Sequence, residues 1–389
     1  MTDALANYQN EIYFNGLAQQ RPEHPIASQD LEKAAYEAMT PQARGYVEGG
    51  AGSGYTMRAN RQAFDRWRIV PRMLNNVAER DLSVEIFGKR YAAPMLLAPI
   101  GVQTIVHAEG ELAVARAASS VGTPFILSTA ASHSIEQVAE AAGNGPRWFQ
   151  LYWPNDEALT RSFISRAEDA GYEALVVTLD TSMLAWRPAD LQTAYLPFIV
   201  GEGIANYLSD PVFRASLEAT PEEDMGAAIM RWIQVFSNPA YTWEDLASIR
   251  AATDLPIILK GVLHPDDALA AIEQGIDGVI VSNHGGRQVD GAVGALDALP
   301  NVVAAVPDDF PVLFDSGVRT ASDIIKAVAL GARAVLLGRP FIWGLTVGGE
   351  DGVRQVVRAI LAELDLTLAL SGRRSLETVG PQILEPAPS

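Results

Sequence analysis

Val279-Ile280-Val281-Ser282-Asn283-His284-Gly285-Gly286-Arg287-Gln288 opens as a β-branched run and closes in a polar turn. The first half reads as a short buried strand. Gly285-Gly286 lets the backbone turn sharply and approach a ligand closely. His284 thus sits on the rigid end of a strand, with Arg287 one turn further on. A base and a guanidinium fork side by side suit a small substrate that carries a carboxylate and an ionisable proton.

The same form recurs outward from this stretch. Eight short apolar runs, each followed by an amphipathic stretch, are Met95–Ala98, Phe125–Leu127, Trp148–Leu151, Ala174–Val177, Ile257–Leu259, Gly278–Val281, Val312–Phe314 and Ala334–Leu337. Ser134-Ile135-Glu136-Gln137 and Thr320-Ala321-Ser322-Asp323 have the spacing of helix capping boxes. Alternating strands and helices imply parallel strands with crossover helices, and eight such units match an α/β protein of the TIM (β/α)8 barrel class. An open doubly wound sheet would need a Gly-x-Gly-x-x-Gly turn after its first strand, and none is present. The expected layout is a single domain over 1–389, with an N-terminal segment 1–92, a barrel 93–375 and a tail 376–389. The N-terminal segment is expected to hold a helix from Ser28 to Met39 and a glycine-rich loop from Gly45 to Gly54. Roughly 80 residues separate the fourth and fifth runs, and the excess, 189–241, is expected to lie over the catalytic face as a lid.

Composition narrows the function. The 389 residues are 48% hydrophobic, enough for one large barrel. There is no cysteine, which removes disulfides, thiolate metal sites and cysteine nucleophiles. The five histidines show no metal-ligand spacing. A net charge of −18 argues against nucleic acid and anionic membrane as partners. With no apolar run of spanning length and no secretory leader pattern, a cytoplasmic protein is expected.

Polar residues follow nearly every predicted strand, and in a barrel those ends meet on one face. They are Pro99, Ile100 and Gly101 after the first; Ser128 after the second; Gln150 and Tyr152 at the third; Thr178, Asp180 and Arg187 after the fourth; and Lys260 at the fifth. Ser282, His284 and Arg287 follow the sixth, Asp315, Ser316, Gly317 and Arg319 the seventh, and Gly338 and Arg339 the eighth. The last two groups form a barrel phosphate site, with backbone N–H groups freed by Gly317 and Gly338 and an arginine assisting. Ser128, Gln150 and Thr178 suit the polar edge of a heterocycle. Lys260, in an apolar strand, suits negative charge on a ring, although a pairing with Asp180 or another carboxylate would also account for it. Phosphate, heterocycle and cation together describe FMN. Lys260 alone would also fit a Schiff-base aldolase barrel.

Ser282-Asn283-His284-Gly285-Gly286-Arg287-Gln288, Phe149-Gln150-Leu151-Tyr152, Thr178-Leu179-Asp180-Thr181, Leu259-Lys260-Gly261 and Asp315-Ser316-Gly317-Val318-Arg319 resemble the FMN-dependent α-hydroxy acid oxidase family, from about Tyr36 to Leu376. The segments Pro99-Ile100-Gly101-Val102, Trp186 to Leu191 and Asn206 to Phe213, with Ser316, are most similar to its lactate 2-monooxygenase branch. The resemblance implies that His284 takes the hydroxyl proton and that Asp180 holds His284. It implies that Arg187 and Arg287 bind the carboxylate, that Tyr46 and Tyr152 contact the substrate, and that Lys260 stabilises the reduced flavin. It also implies O2 as acceptor and a homo-tetramer or homo-octamer. Two departures stand out: Ala130 replaces a bulkier residue, and the loop Gly50–Gly54 lacks an acidic residue after Gly-Ala, so a contact to a neighbouring loop is expected to be missing.

Overall fold

A computed structural model describes residues 5–388. Eight parallel strands close into a barrel in sequence order, the eighth pairing back to the first through Val335 and Met95. The barrel strands are Met95–Leu97, Phe125–Ser128, Arg147–Tyr152, Leu175–Thr178, Ile257–Val262, Gly278–Val281, Val312–Phe314 and Val335–Leu337. All eight expected runs are strands. Each is covered on both faces, which is why they read as unbroken apolar runs rather than as alternations.

The two faces pack separately. Leu96, Ile126, Trp148, Val176, Ile258, Ile280, Leu313 and Leu336 point inward, one from each strand. Leu97, Leu127, Phe149, Val177, Leu259, Val281 and Phe314 point outward against the helices. A hairpin that sequence reading did not anticipate, Val84–Ile86 paired with Lys89–Tyr91, adds Val84, Ile86 and Tyr91 to the inner cluster. Both anticipated capping boxes form, at Ser134 and at Thr320.

The N-terminal segment departs from expectation in one place. Gly45 to Glu48 is not loop but the end of a helix, Pro41–Glu48. Thr40 caps it by accepting from Ala43 N at 3.1 Å, Pro41 stands at its first position, and Ala43 and Val47 are buried beneath it. Cap and packing thus outweigh the glycine. The loop proper is Gly49–Gly54, followed by the helix Tyr55–Asp65. The tail is also tied down: Leu384–Pro386 pairs antiparallel with Trp67–Ile69.

Residues 188–241 form five short helical pieces that roof the strand ends. Their apolar centre is aromatic: Phe198, Tyr207, Phe213, Trp232 and Phe236 are buried together, with Trp232 4.7 Å from Phe236 and 4.9 Å from Phe198. The buried side chain of Asn206 donates to the carbonyls of Ser128 and Thr129 and accepts from Ile135 N, which fixes this half of the insertion to the barrel.

The N-terminal segment is fastened to the loop after the sixth strand. Asn60 and Asn283, both buried, exchange two amide hydrogen bonds of 2.8 and 2.7 Å. Ala51 N donates to Gly286 O at 2.9 Å. The contact expected to be missing at Gly50–Gly54 exists, supplied from the opposite side: Asp290 accepts from Ser53 N at 2.6 Å, Ser53 Oγ at 2.7 Å and Tyr55 N at 2.6 Å. A side chain at Gly52 would meet the Asp290 carboxylate at 2.5 Å, so the two positions exclude each other. Replacing Asn60 with leucine strips the amide pair and strands polar atoms of Asn283. We expect a loss of about 1–3 kcal/mol, read as a lower thermal unfolding midpoint; an unchanged midpoint would show that the segment is held elsewhere.

Candidate active site

One cavity of about 1040 Å³ opens at the C-terminal ends of the strands. Its wall contains Tyr46, Pro99, Ile100, Gly101, Tyr152, Arg187, Lys260, His284, Arg287, Ser316, Gly317, Arg319, Gly338 and Arg339, and Asp315 as well. Nearly the whole predicted set is therefore in one place. Ser128, Gln150, Thr178, Asp180 and Ser282 are not in the wall, and Thr178 and Asp180 line a neighbouring cavity instead. Ser128, Gln150 and Thr178 are buried and joined in a row, Ser128 Oγ to Gln150 Oε1 and Gln150 Nε2 to Thr178 Oγ1, each at 2.9 Å. Thr178 stands in register with Lys260 on the next strand, whose Nζ donates to Ser282 Oγ at 3.0 Å. The row brings polar edges from four neighbouring strands beside the cavity.

His284 is held from two directions. It lies in the left-handed backbone region, φ 58°, where the strand breaks into the Gly285-Gly286 turn. Its Nδ1 is 2.8 Å from Asp180 Oδ1. Thr181 Oγ1, 3.0 Å from the same carboxylate oxygen, is a second support that sequence reading left without a role. Burial presses the imidazole below its ordinary pKa, and Asp180 opposes that shift. On Asp180 burial acts upward, but His284 and Lys260 hold the carboxyl below the usual range. Gly261 makes room for this carboxylate: at φ +109° it passes so close that a Cβ would lie 2.9 Å from Asp180 Cβ. The ring of Tyr152 lies nearly parallel to His284, centroids 6.5 Å apart.

Arg187 and Arg287 stand together beside the dyad. Arg187 Nε donates to Arg287 O at 3.0 Å. Arg287 donates to the carbonyls of Tyr46 and of Gly49, and its guanidinium lies 5.0 Å above the Tyr46 ring. Burial first, then the charge of Arg187, lower Arg287 to about 9. Among the described residues neither arginine has an ion-pair partner. A buried cationic pair without an anion is costly, and a ligand carboxylate would relieve it.

A second cationic pair lies at the other end. Burial first, then Arg339 and Arg61, lower Arg319 to about 10, and its guanidinium stacks 5.0 Å over Trp343. Arg339, also lowered by burial, donates to Val47 O at 2.9 Å and has Glu48 at 3.7 Å, with Glu32 further off, as counter-charge. Gly317, at φ +93°, opens the loop here, and Gly338 precedes the helix that begins at Arg339. Ser316 takes φ +84°, a strained conformation for a residue with a side chain. Its hydroxyl accepts from Asn283 N and Gly285 N at 3.2 and 3.0 Å, which locks the seventh-strand loop to the sixth.

Lys260 settles one open alternative. Its Nζ is 3.3 Å from Asp315 Oδ2, so it does pair with a neighbouring carboxylate. Burial acts to lower it, yet Asp315 and Asp180 raise it above the ordinary value. A lysine kept charged is not a Schiff-base nucleophile, which must be neutral to attack. Asp315, itself in the cavity wall, is thus the carboxylate that holds Lys260. Gly101 also has a plain steric reason: a Cβ there would lie 2.5 Å from Ala130 O. Sequence reading missed the aromatic walls Phe198 and Phe236. The aromatic content of the insertion was their only trace.

A barrel whose strand ends present a cationic loop, a polar row and a buried His–Asp pair beside two guanidinium groups without ion-pair partners among the described residues suits a flavin enzyme. Residues 35–386 match the FMN-dependent dehydrogenase family. The chain is 46% identical over 367 residues to an L-lactate oxidase of Lysinibacillus sphaericus, covering 94% of each chain. It is 38% identical to human 2-hydroxyacid oxidase 1, over 93% of this chain and 97% of that one. The crystal structure of a mandelate oxidase superposes with a TM-score of 0.82 at 38% identity, over 93% of this chain and 98% of that one. The chain belongs to the FMN-dependent dehydrogenase family and is an FMN-dependent enzyme of α-hydroxy acid oxidation.

The residues present fit FMN. Arg319 and Arg339 have positive charge to spare for a phosphate, next to backbone N–H groups of the Gly317 loop and a helix start. Lys260 offers a donor in the wall at the strand ends, with the polar Ser128–Gln150–Thr178 row behind it. Burial holds the His284 imidazole below its ordinary pKa, so a base at this position would be neutral at neutral pH and activity would fall as acid protonated it. Asp180→Asn removes the upward pull on His284, so the acid limb of the rate profile moves to lower pH. The maximal rate of flavin reduction drops on the order of 10²–10⁴-fold, because the imidazolium loses its counter-charge. Stopped-flow bleaching across pH checks both; an unmoved limb would mean that another group sets it.

Proposed function

We propose that the protein oxidises L-lactate or a similar L-2-hydroxy acid, with O2 as terminal acceptor. The observation that carries this reading is the buried His284–Asp180 dyad, an imidazole on a carboxylate, set beside two cationic pairs in which, among the described residues, only Arg339 has a carboxylate within ion-pair distance. Arg187 and Arg287 grip the substrate carboxylate from a planar fork, which fixes the acid in one orientation. Tyr46 and Tyr152 border the same space and hydrogen-bond the carboxylate and the hydroxyl. His284 takes the hydroxyl proton, and Asp180 stabilises the imidazolium that results. FMN, when bound, supplies the two-electron acceptor, and Lys260 supplies a positive charge for it from the fifth strand. Ala130, small and buried, leaves the wall near Gly101 wide enough for side chains beyond methyl.

The products depend on how long the keto acid stays. Lactate and O2 give pyruvate and hydrogen peroxide. Retained together, these react further: peroxide adds to the keto carbon, the bond to the carboxylate breaks, and acetate, CO2 and water leave. We favour retention, because Phe198 and Phe236 close the cavity from the insertion and Leu184 closes it from the adjoining loop. The insertion is then a lid whose anchored half is 205–236 and whose exposed rim carries Leu191, Ile199 and Val200, next to Leu184 and Trp186 of the adjoining loop. That apolar rim also supports contact between copies of the chain in a tetramer or octamer. The alternative, favoured by the similarity to an L-lactate oxidase, is early release of pyruvate and peroxide.

Product analysis under air separates the two. Retention yields acetate and CO2 with little peroxide; stoichiometric peroxide without acetate refutes it. His284→Ala leaves the protein yellow but abolishes bleaching by 2-hydroxy acid under nitrogen. Bleaching at the ordinary rate in that variant would overturn the assigned base.

A further inference from the structure

Gln288 closes the motif that governs the site, yet no step above uses it. Its amide is engaged on both sides. The oxygen accepts from Arg187 Nη2 at 2.5 Å. The nitrogen donates to the main-chain carbonyl of Asp180 and, at 3.4 Å, to that of Met183. The orientation is unambiguous, since a guanidinium only donates and a carbonyl only accepts. Arg187 Nε meanwhile donates to the carbonyl of Arg287, the residue immediately before. Two consecutive residues of the sixth-strand loop thus hold one edge of the Arg187 fork, and its remaining N–H groups are left for the cavity that Arg187 lines.

We propose that Gln288 is a positioning residue: a neutral strap that ties the segment bearing the base's partner, Asp180, to the arginine that grips the substrate carboxylate. This rests on the carboxylate role of Arg187 given above. The amide is chemically specific. It must accept on one side and donate on the other, which a carboxylate cannot do. A glutamate would turn an oxygen toward the Asp180 carbonyl and repel it. It would also place a negative charge on Arg187, where the substrate's own charge has to bind. Asparagine is one methylene too short to span both partners.

The test uses the yellow holoenzyme and two ligands that differ in charge. One is a 2-hydroxy acid, followed by anaerobic bleaching; the other is its neutral 2-hydroxy amide, followed by perturbation of the visible spectrum. In Gln288→Glu the apparent Kd for the acid rises about tenfold or more, while that for the amide changes by less than about twofold. Gln288→Asn shows the same selectivity to a smaller degree and serves where the glutamate variant does not fold. Equal weakening of acid and amide, or no weakening of either, overturns the strap. Arg187→Met separates the two claims. If it weakens acid binding but Gln288→Glu does not, the strap alone is wrong. If Arg187→Met leaves acid binding unchanged, the carboxylate role falls and the strap falls with it.

Discussion

Positive charge without matching negative charge, sealed inside a strongly acidic protein, is the condition to which the rest of the molecule answers. Arg187 and Arg287 at one end and Arg319 and Arg339 at the other are all lodged in the same cavity wall. The chain carries a net charge of −18, so carboxylates were not scarce. Within ion-pair distance of these groups the described residues place one carboxylate, Glu48 at 3.7 Å from Arg339, while Asp190 acts on Arg187 and Arg287, and Glu32 on Arg319 and Arg339, from further off. What neutralises the guanidinium groups inside the protein is mostly backbone: the carbonyls of Tyr46, Val47, Gly49, Gly285 and Arg287. Carbonyls stabilise a cation while leaving its charge intact for a ligand. Lys260 is handled differently, with Asp315 as a fixed partner, and it stays protonated.

That arrangement explains why a barrel enzyme needs its first ninety residues. The carbonyls of Tyr46, Val47 and Gly49 come from a helix end and loop outside the barrel, and the Asn60–Asn283 pair and the Asp290 contacts hold that segment in place. The loop that bears His284 is stabilised from the same side. Its left-handed turn, the Ser316 hydroxyl and the Ala51–Gly286 bond are parts of one clamp. The barrel supplies a rigid floor, and the N-terminal segment supplies the counter-surface against which the catalytic loop is set.

Much of this could be read from the residues. Strands buried on both faces must be apolar along their whole length, so Val279–Val281 and its seven counterparts announce themselves. The polar residues at their ends converge because a closed barrel leaves them no other place. What stayed hidden depended on contacts between distant positions. Asp290 meets the Gly50–Gly54 loop from the loop after the sixth strand, so reading either loop alone suggested a lost contact. The glycine count at Gly45–Gly54 concealed a helix end that Thr40, Pro41 and burial of Val47 enforce. The hairpin Val84–Tyr91 is two strands of three residues, too short to show a period. Phe198 and Phe236 could be seen as aromatic, but nothing local aims them at the cavity. Gln288 lies inside the most conspicuous motif, and its role became visible only once Arg187 and Asp180 were seen on either side.

The pairing of Leu384–Pro386 with Trp67–Ile69 has a bearing on the order of folding. The first and last parts of the chain are laid against each other, and Arg287 and Arg339 reach partners 241 and 292 positions away. Contacts of such long range close late and slow the search for the native state. The wall of the coenzyme pocket is therefore complete only when positions nearly three hundred residues apart have met.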